Sequence, residues 1–483
     1  MYNHYRVTNN IKTKMKSDSK RFAGIIINSR SKDVDSSLYS MEPLGLEYVL
    51  SIAEDEGYEN RLFDNLMFPD FENFVLAIHA FKPNIAGFSV FDCSRNDSLT
   101  VAKSLKEQGT LILFGGYHPS AYPEIALKKE VDFVVIGEAE RTLPSLLQKI
   151  NSLEPLLDIP FLAYKRNGSL YLDLISRPNE IKRKPLQPLR NEFYLRQKDT
   201  CLNYPAPSDQ TGVAHIVINR GCVNRCYFCS STSVFGNIVT EGSLSKGTEE
   251  IKELKERGIN LIIIDDLNFT LNENFVEEFY QRMRSINSDG ELFFEVFGNI
   301  ERTSPHIIDM LYGAGVRKIG FGVESLNEDN LRFMRRNLNI SKLKTILEKN
   351  YELGILTTCF YQIGYPQDTK NTINEDFERM INEKLFIPRI RISVATPSSG
   401  SPWHEQLKSS DANWPREEAW PLFDCSHLVY PHTSLKPEEI GSLRNEMERK
   451  YYQSDFYQKN LESFVKKHPH FDKVFEECRG ENE

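Results

Sequence analysis

The chain has 483 residues, 40% of them hydrophobic, which is enough for about three domains with real cores and excludes a disordered chain. The net charge of -9 gives no overall basic field, so the composition does not favour a nucleic-acid partner. The polar, basic N-terminus lacks the apolar core of a secretory signal, and no later run is long enough to span a membrane. We therefore expect a cytoplasmic protein that acts on a small molecule or a peptide.

Residues 1–20 are predicted to form a flexible leader, and residues 21–150 an α/β domain. In that domain short apolar runs alternate with segments of helical period, such as 44–56 and 98–108. Strands separated by helices predict a parallel sheet covered on both faces, a doubly wound, Rossmann-like fold whose ligands lie beyond the carboxyl ends of its strands. The predicted strands are FAGIIIN, RLFDNL, IAGFSV, TLILFGG and DFVVIG.

Two glycine-containing loops follow predicted strands, GGYHPS at 115–120 and GEAERT at 137–142. Glycine there lets the backbone approach a ligand closely, although tight strand-to-helix turns explain the same pattern equally well. Together with EPLGLEYVLSIAEDEGYENRLFDN and VDFVVIGEAERTLPSLL, these loops resemble the cobalamin-binding domain that precedes the barrel in many radical S-adenosylmethionine enzymes. The resemblance implies cobalamin contacts at Pro43, Gly45, Asp64, Ser89, Gly115, Gly116, His118, Gly137 and Glu138.

The resemblance has one departure. Cobalamin domains of the mutase type carry an Asp-x-His-x-x-Gly loop whose histidine binds cobalt, whereas the corresponding stretch here, FDNLMFPD, has no histidine. We therefore expect cobalamin without a protein imidazole on cobalt, and the lower ligand stays open. A front domain that has kept its fold but lost the corrinoid is the alternative.

Residues 151–205 contain many prolines and are predicted to form an extended linker between two lobes. Residues 206–400 repeat the alternation of strand and helix six times, which predicts a partial (β/α)6 barrel of the TIM type with its active site at the carboxyl ends of the strands. The predicted strands are AHIVINR, LIIIDD, LFFEVFG, KIGFGVES, TTCFYQIGYP and RIRISVATP.

The stretch NRGCVNRCYFCSS follows the first of these strands and holds Cys222, Cys226 and Cys229. A structural zinc site usually needs four protein ligands, and no second cysteine or histidine pair follows. Three thiolates suit a 4Fe-4S cluster with one iron left open for another ligand. The remaining cysteines are scattered singly and are predicted to be small apolar residues rather than ligands of a second cluster.

This Cys-x-x-x-Cys-x-aromatic-Cys spacing resembles the radical S-adenosylmethionine (SAM) superfamily, and the whole chain resembles its class B methyltransferases. The resemblance implies that Asp265 and Asp266 accept hydrogen bonds from the methionyl ammonium, although a helix-capping loop is an alternative interpretation. It also implies SAM contacts at Phe228, Arg302, Glu324, Ser325, Gln362 and Gly364.

The resemblance further implies the chemistry. The reduced cluster cleaves SAM to a 5'-deoxyadenosyl radical, which takes hydrogen from the substrate, and methylcobalamin then supplies a methyl group. An external donor such as flavodoxin or ferredoxin would reduce the cluster. Oxidative cyclisation, ring contraction and other rearrangements, with or without cobalamin, remain alternatives because the fold does not choose among them.

Residues 401–483 are predicted to form a helical cap on the barrel. A tRNA methylthiotransferase is disfavoured, because it would need three more cysteines near the N-terminus and a basic RNA-binding module. A non-catalytic cobalamin or iron-sulfur sensor would leave the six-strand unit without a purpose.

Overall fold

The computed structural model describes residues 20–28, 42–156, 158–174, 187–195, 212–471 and 475. These form two compact units. The first contains the chain up to Phe193 together with 229–236 and 397–424; the second contains 194–228, 237–396 and the chain from Cys425 onward. The predicted leader except Lys20, residues 157, 175–186 and 196–205 of the predicted linker, which include Cys201, and also Cys478 lie outside the described residues.

The first unit is built on a seven-stranded sheet of order β2-β1-β3-β4-β5-β6-β7, in which β1 to β5 run parallel. Strands β1 to β5 confirm the five strands that the sequence predicts for this domain. The strands are β1 (Arg21–Ile26), β2 (Glu59–Asp64), β3 (Ile85–Ser89), β4 (Leu111–Gly115), β5 (Phe133–Val135), β6 (Leu162–Arg166) and β7 (Ser169–Leu172). The helices are α1 (Leu44–Asp55), α2 (Phe71–Phe81), α3 (Arg95–Glu107), α4 (Tyr117–Ala121) and α5 (Ala139–Ser152).

Both faces of this sheet are covered, as a doubly wound fold requires. Phe74 and Ile78 of α2 and Leu105 of α3 are buried against strand residues on one face. Helix α1 packs on β1 and β2 from the other face, where the side chain of Leu50 fills the space beside Gly24. Because side chains alternate along a strand, the apolar runs have to be buried on both sides.

The predicted extended linker is wrong at residues 162–172. There β6 and β7 form a hairpin that adds two antiparallel strands to the sheet beside β5. Asn167 and Gly168, between Arg166 and Ser169, both have positive φ, 55° and 86°, as a two-residue hairpin turn requires. The Asn-Gly pair was the sequence signal for this hairpin.

The second unit contains a six-stranded parallel sheet of order β15-β14-β13-β12-β11-β8, which confirms the predicted partial barrel. Its strands are β8 (Val213–Ile216), β11 (Leu261–Ile264), β12 (Phe293–Gly298), β13 (Val316–Glu324), β14 (Leu356–Ile363) and β15 (Arg389–Val394), with a separate ribbon of β9 (Arg220–Gly221) and β10 (Val239–Thr240). Short helices α6 (Glu192–Leu195) and α7 (Ser231–Phe235) flank β8 and the loop after it along the chain. The other helices up to β15 are α8 (Leu244–Glu256), α9 (Glu273–Ile286), α10 (Pro305–Ala314), α11 (Glu328–Phe333), α12 (Ile340–Leu353) and α13 (Lys370–Asn382).

The two faces of this sheet are distinguished by their packing. Phe294 of β12 packs on Phe279 of α9, with ring centroids 5.5 Å apart, so its face lies under the helices. The alternate residues Val213, Leu261 and Ile263 form a separate cluster on the opposite, inner face. Along each strand, alternate residues therefore face the helices and the barrel interior.

The chain after β15 does not form the single cap predicted for 401–483. Helix α14 (Pro402–Ser410) belongs to the first unit, whereas α15 (Pro437–Tyr452) and α16 (Asp455–Lys467) belong to the second. The Tyr451 and Tyr457 hydroxyls bond to backbone atoms of Leu385, Ile387 and Pro388, just before β15. These tyrosines thus support the amino-terminal end of the barrel, opposite the strand ends that carry the predicted site. Among the described helices, none combines the length and apolar character of a bilayer span.

Candidate functional site

Cys222, Cys226 and Cys229 lie on the segment between the β9 strand and α7, and each is partly exposed. Backbone N–H groups point at two of the sulfurs: Asn224 N lies 3.4 Å from Cys222 Sγ, and Ser231 N lies 3.5 Å from Cys229 Sγ. Hydrogen bonds of this kind favour the thiolate form that binds iron. None of the described cysteines forms a disulfide.

The start of this segment is fixed by Asp266. Its Oδ1 accepts hydrogen bonds from the backbone N–H groups of Ile218, at 2.7 Å, and Asn219, at 2.8 Å. Its Oδ2 accepts one from Asn219 Nδ2 at 2.9 Å. Burial raises the pKa of Asp266 to about 7, against the effect of these hydrogen bonds. Asp266 therefore positions the chain that leads to Cys222. Both of its carboxylate oxygens already accept hydrogen bonds from that chain.

Asp265 points the other way. It pairs with His215, whose Nδ1 lies 2.9 Å from its Oδ2, and His215 stands opposite Ile263 of the inner face. Asp265 keeps 23% side-chain exposure, so of the two carboxylates it is the one that can meet a ligand at the barrel mouth. Of these two adjacent residues, Asp265 thus faces the barrel interior and Asp266 supports the cysteine segment.

The cysteine segment also packs on the turn after α11. The backbone N–H of Tyr227 donates to the carbonyl of Met334 at 3.1 Å, and its ring meets Phe333 edge-on at 5.3 Å. The Arg335 guanidinium lies 4.4 Å from the centre of the Tyr227 ring. Sequence reasoning missed this support, because contacts across about 100 residues leave no local pattern.

Glu324 ends β13 with a φ of 67°, a left-handed conformation that is uncommon outside glycine and recurs at functional sites. Its Oε1 lies 3.3 Å from Arg336 Nη1, and its Oε2 is buried without a hydrogen-bond partner among the described residues. Burial raises the pKa of Glu324, although Arg336 and Gln362 act in the opposite direction. A Cβ on Gly322 would come within 2.5 Å of Oε1, so only glycine leaves room for this carboxylate.

The turn after β14 places Gln362 and Gly364. Asp368 Oδ2 accepts the N–H groups of Gly364, at 2.8 Å, and Tyr365, at 2.9 Å, and the Tyr430 hydroxyl donates to the Gly364 carbonyl. The Tyr365 hydroxyl bonds to Gln362 Oε1 at 2.8 Å. Burial raises the pKa of Tyr365, as do Glu324, Asp368 and Cys226 nearby. Tyr365, Glu324 and Asp368 therefore lie in the same region of the second unit as Cys226.

The three other predicted SAM residues, Ser325, Arg302 and Phe228, do not share these contacts. Ser325 is fully buried, and its Oγ donates to Asp376 at 2.6 Å, so its side chain supports the turn rather than facing a ligand. Arg302 is exposed at the end of a short 3-10 turn after β12, and Phe228 is partly exposed between Tyr227 and Cys229. Asp368 and Asp376 are the supporting residues that sequence reasoning missed, and no motif marked them.

The donor chemistry fits an iron-sulfur cluster. Among the described residues, no three His, Cys, Asp or Glu side chains are gathered around one point as ligands of a single metal ion. An iron-sulfur cluster does not need ligands gathered around one point, because each thiolate binds a different iron. The thiols with N–H donors at their sulfurs, together with the unpartnered Glu324 Oε2, supply both ligands for a cluster and an acceptor for a cationic group next to it.

In the first unit the predicted cobalamin residues cluster at one edge. Asp64, Ser89 and Gly115 are the last residues of β2, β3 and β4, and Gly116 and Glu138 follow β4 and β5. Ser89, Gly115, Gly116, Gly137 and Glu138 are partly exposed and Gly45 is exposed, while Pro43 is a buried residue at the start of α1. With a φ of 101° and backbone atoms of Val90 3.1 Å from the place of a Cβ, Gly116 occupies a position where a side chain would be strained. This edge of exposed backbone fits a large flat ligand.

Two of these residues have buried side chains. The Asp64 carboxylate is completely buried and accepts hydrogen bonds from Leu66 N and Asn28 Nδ2, so it shapes the loop after β2. His118 has 1% exposure, and its Nδ1 lies 2.7 Å from Asp92 Oδ1. Both side chains are therefore unavailable at the exposed edge. The sequence pattern gave their position at the strand ends but not the inward direction of their side chains.

Asp92 and His118 belong to a buried network with the 397–424 segment. Asp92 Oδ2 accepts the N–H of Ser399 at 2.9 Å, and the Ser399 hydroxyl also donates to Asp92. The His118 ring meets Trp420 edge-on at 4.7 Å. Burial acts to raise the pKa of Asp92, but the His118 and Ser399 hydrogen bonds outweigh it and lower the pKa.

Comparison with known families also finds two separate parts in the chain. The B12 binding domain model matches residues 31–147, and the radical SAM superfamily model matches residues 216–398. The chain is a cobalamin-binding radical SAM enzyme. The radical SAM match begins at the last residue of β8 and contains the cysteine segment.

Relatives of this radical SAM enzyme include proteins named as methyltransferases. An uncharacterized methyltransferase of Pyrococcus horikoshii is 25% identical over 74% of this chain and 77% of its own length. The hopanoid C-3 methylase of Methylococcus capsulatus is 25% identical over 83% of this chain and 75% of its own length. The solved structure of TsrM from Kitasatospora setae has the same fold, with a TM-score of 0.66, 17% identity, and coverage of 82% of this chain and 79% of that one.

Proposed function

We propose that this enzyme transfers a methyl group from SAM, by way of cobalamin, to a carbon or phosphorus centre of a small molecule or a peptide. The observation that carries the proposal is the presence of a B12 binding domain and a radical SAM domain in one chain. Relatives of this chain include the hopanoid C-3 methylase and the cytidylyl-2-hydroxyethylphosphonate methyltransferase of Streptomyces wedmorensis, 22% identical over 74% of this chain. When bound, the cluster supplies the electron that cleaves SAM, and cobalamin carries the methyl group.

The residues of the chain have separate tasks in this proposal. Cys222, Cys226 and Cys229 hold the cluster, and Asp266 fixes the segment on which they stand. Asp265 and Glu324 accept hydrogen bonds from the polar groups of SAM, with Gln362 beside Glu324. These positions are supported by the exposure of Asp265 and the unpartnered Oε2 of Glu324. An external flavodoxin or ferredoxin in the reducing cytosol is the proposed electron source.

A rearrangement is the second candidate. The anaerobic magnesium-protoporphyrin IX monomethyl ester cyclase of Synechocystis is 21% identical over 68% of this chain, so the chain is also similar to an enzyme named as a cyclase. Methylation and rearrangement differ in the fate of the SAM methyl group, which gives a direct test.

The test follows a labelled methyl group during anaerobic turnover of the reconstituted enzyme with candidate metabolites. Methylation predicts that deuterium from methyl-labelled SAM enters the product. Product formation with all of the label retained in methionine and SAM would rule out methylation and favour a rearrangement. Measurement of bound corrinoid by its absorbance tests the contribution of the first unit independently.

A further inference from the structure

Two exposed arginines lie at the cysteine segment. Arg225 stands between Cys222 and Cys226, and it is exposed whereas both cysteines are partly exposed. Arg335 is exposed on the turn after α11, to which the segment is joined by the backbone hydrogen bond of Tyr227. All of these residues belong to the second unit.

Arg335 is held against the segment by its local conformation. It has a φ of 59°, in the left-handed region that is uncommon for a residue other than glycine. In this conformation its guanidinium lies 4.4 Å from the centre of the Tyr227 ring. The ring attracts the cation but leaves its charge open to solvent. A positive charge is therefore held beside the residue that directly follows Cys226.

Neither arginine is neutralised by the chain that the structure describes. In the described ranges, no carboxylate forms an ion pair with Arg225 or Arg335. The nearby Arg332 differs, because it pairs with Asp329 at 3.0 Å. Since the whole chain has a net charge of -9, this surface is a local exception that attracts an anionic partner.

An apolar side chain accompanies these charges. Val223 is 41% exposed and, like Arg225, belongs to the spacer of three residues between Cys222 and Cys226. Protein interfaces combine apolar contact, which excludes water, with charges that steer the partner into place. Because consecutive Cα atoms are about 3.8 Å apart, a protein that contacts this spacer comes close to two of the expected cluster ligands.

We propose that Val223, Arg225 and Arg335 form the docking surface for an acidic flavodoxin that reduces the cluster. The proposal rests on the cluster assignment of the proposed function, but not on methyl transfer. The flavin of a flavodoxin binds at the carboxyl ends of its strands, where its apolar edge can meet Val223. The step moves a single electron: the reduced flavin loses it, the oxidised cluster gains it, and no bond forms or breaks.

Stopped-flow reduction of the full-length, anaerobically reconstituted enzyme by reduced flavodoxin tests the docking surface. Arg225→Glu and Arg335→Glu should each lower the bimolecular rate constant about ten-fold at low ionic strength, because each reverses a charge that steers the encounter. Added salt should slow the wild type and reduce the difference between the proteins. Titration with oxidised flavodoxin gives a second measurement without turnover, and we expect the same two variants to bind it more weakly.

Arg284→Glu is the matched control. Arg284 is exposed, and its guanidinium also lies over a tyrosine ring, 5.8 Å from the centre of Tyr280. It stands in the last turn of α9, which leads to the start of β12 and thus to the end of the barrel opposite the cysteine segment. This variant should keep the wild-type rate constant and affinity.

Dithionite at high salt separates docking from damage to the cluster. It is a small reductant that needs no docking surface, and salt screens the effect of the changed charges. All of the variants should therefore match the wild type in iron content and in reduction by dithionite. Equal slowing with dithionite and flavodoxin would overturn the proposal, since it would show an altered cluster rather than lost docking.

The other outcomes are equally distinct. Equal flavodoxin rates and affinities in Arg225→Glu, Arg335→Glu and Arg284→Glu would overturn the docking surface. Reduction that depends on these arginines with a ferredoxin but not with flavodoxin would overturn the choice of partner. A wild type without iron after reconstitution would contradict the cluster assignment itself, and the titration with oxidised flavodoxin would still test the surface.

Discussion

Asp266 holds Asn219 at two points, because the backbone N–H of Asn219 donates to Oδ1 at 2.8 Å and its side-chain Nδ2 donates to Oδ2 at 2.9 Å. Asn219 precedes Cys222 by three positions in the sequence. A residue after the second barrel strand thus determines where the cysteine segment after the first strand begins.

Replacement of Asp266 by alanine should loosen this anchor. It would leave the N–H groups of Ile218 and Asn219 without their acceptor, which we expect to lower the free energy of unfolding by about 3 kcal/mol. Iron bound per chain after reconstitution should fall as well. Asp265→Ala is the comparison, because Asp265 does not contact the segment's start in the structure, and that variant should keep its iron. Equal iron content in the two variants would contradict the anchoring role.

The pH dependence of stability offers a second test of Asp266. Burial raises its pKa from 3.8 to about 7. The folded state therefore binds a proton that the unfolded state has released, and this contribution to stability is lost as the pH rises through about 7. Between about pH 5.5 and about pH 8 the wild type should lose about 2 kcal/mol more than Asp266→Asn. Urea unfolding at both pH values measures this difference, and parallel losses would show that Asp266 is already ionised.

The sequence predicted the architecture well because the signals were local. Six apolar runs between helix-period segments gave the second unit's strands, and Cys222, Cys226 and Cys229 stood out by spacing alone. What it could not give was side-chain direction at the strand ends. Asp265 and Asp266 look equivalent in sequence, yet one faces the barrel interior and the other the helices, because adjacent residues of an extended chain point to opposite sides.

Cys226→Ala should abolish SAM cleavage, because the thiolate is one of three expected cluster ligands. The measurement is the formation of 5'-deoxyadenosine under reducing conditions. Cys425→Ala is the control, since Cys425 is exposed and far along the chain from the motif. Continued formation of 5'-deoxyadenosine by the Cys226 variant would refute the ligand assignment.

Glu324→Gln tests the acceptor at the end of β13. The carboxylate Oε2 is buried without a partner among the described residues, so an ammonium or hydroxyl group of SAM would gain a strong hydrogen bond there. We expect the neutral amide to bind SAM about ten-fold more weakly in an equilibrium titration. Iron content should be unchanged, because Glu324 is not a cluster ligand. Unaltered SAM affinity would show that Glu324 does not bind SAM.

His118→Ala tests whether the histidine after β4 binds cobalt or supports the loop. The ring is buried, bonds to Asp92 and packs on Trp420, so its loss should lower the free energy of unfolding by about 2 kcal/mol through the lost hydrogen bond to Asp92 and the cavity left behind. The electron paramagnetic resonance spectrum of bound cob(II)alamin should be the same in the variant, because an imidazole held at Asp92 does not reach the exposed strand-end edge. A changed axial ligand field in His118→Ala would mean that the ring leaves this network when cobalamin binds.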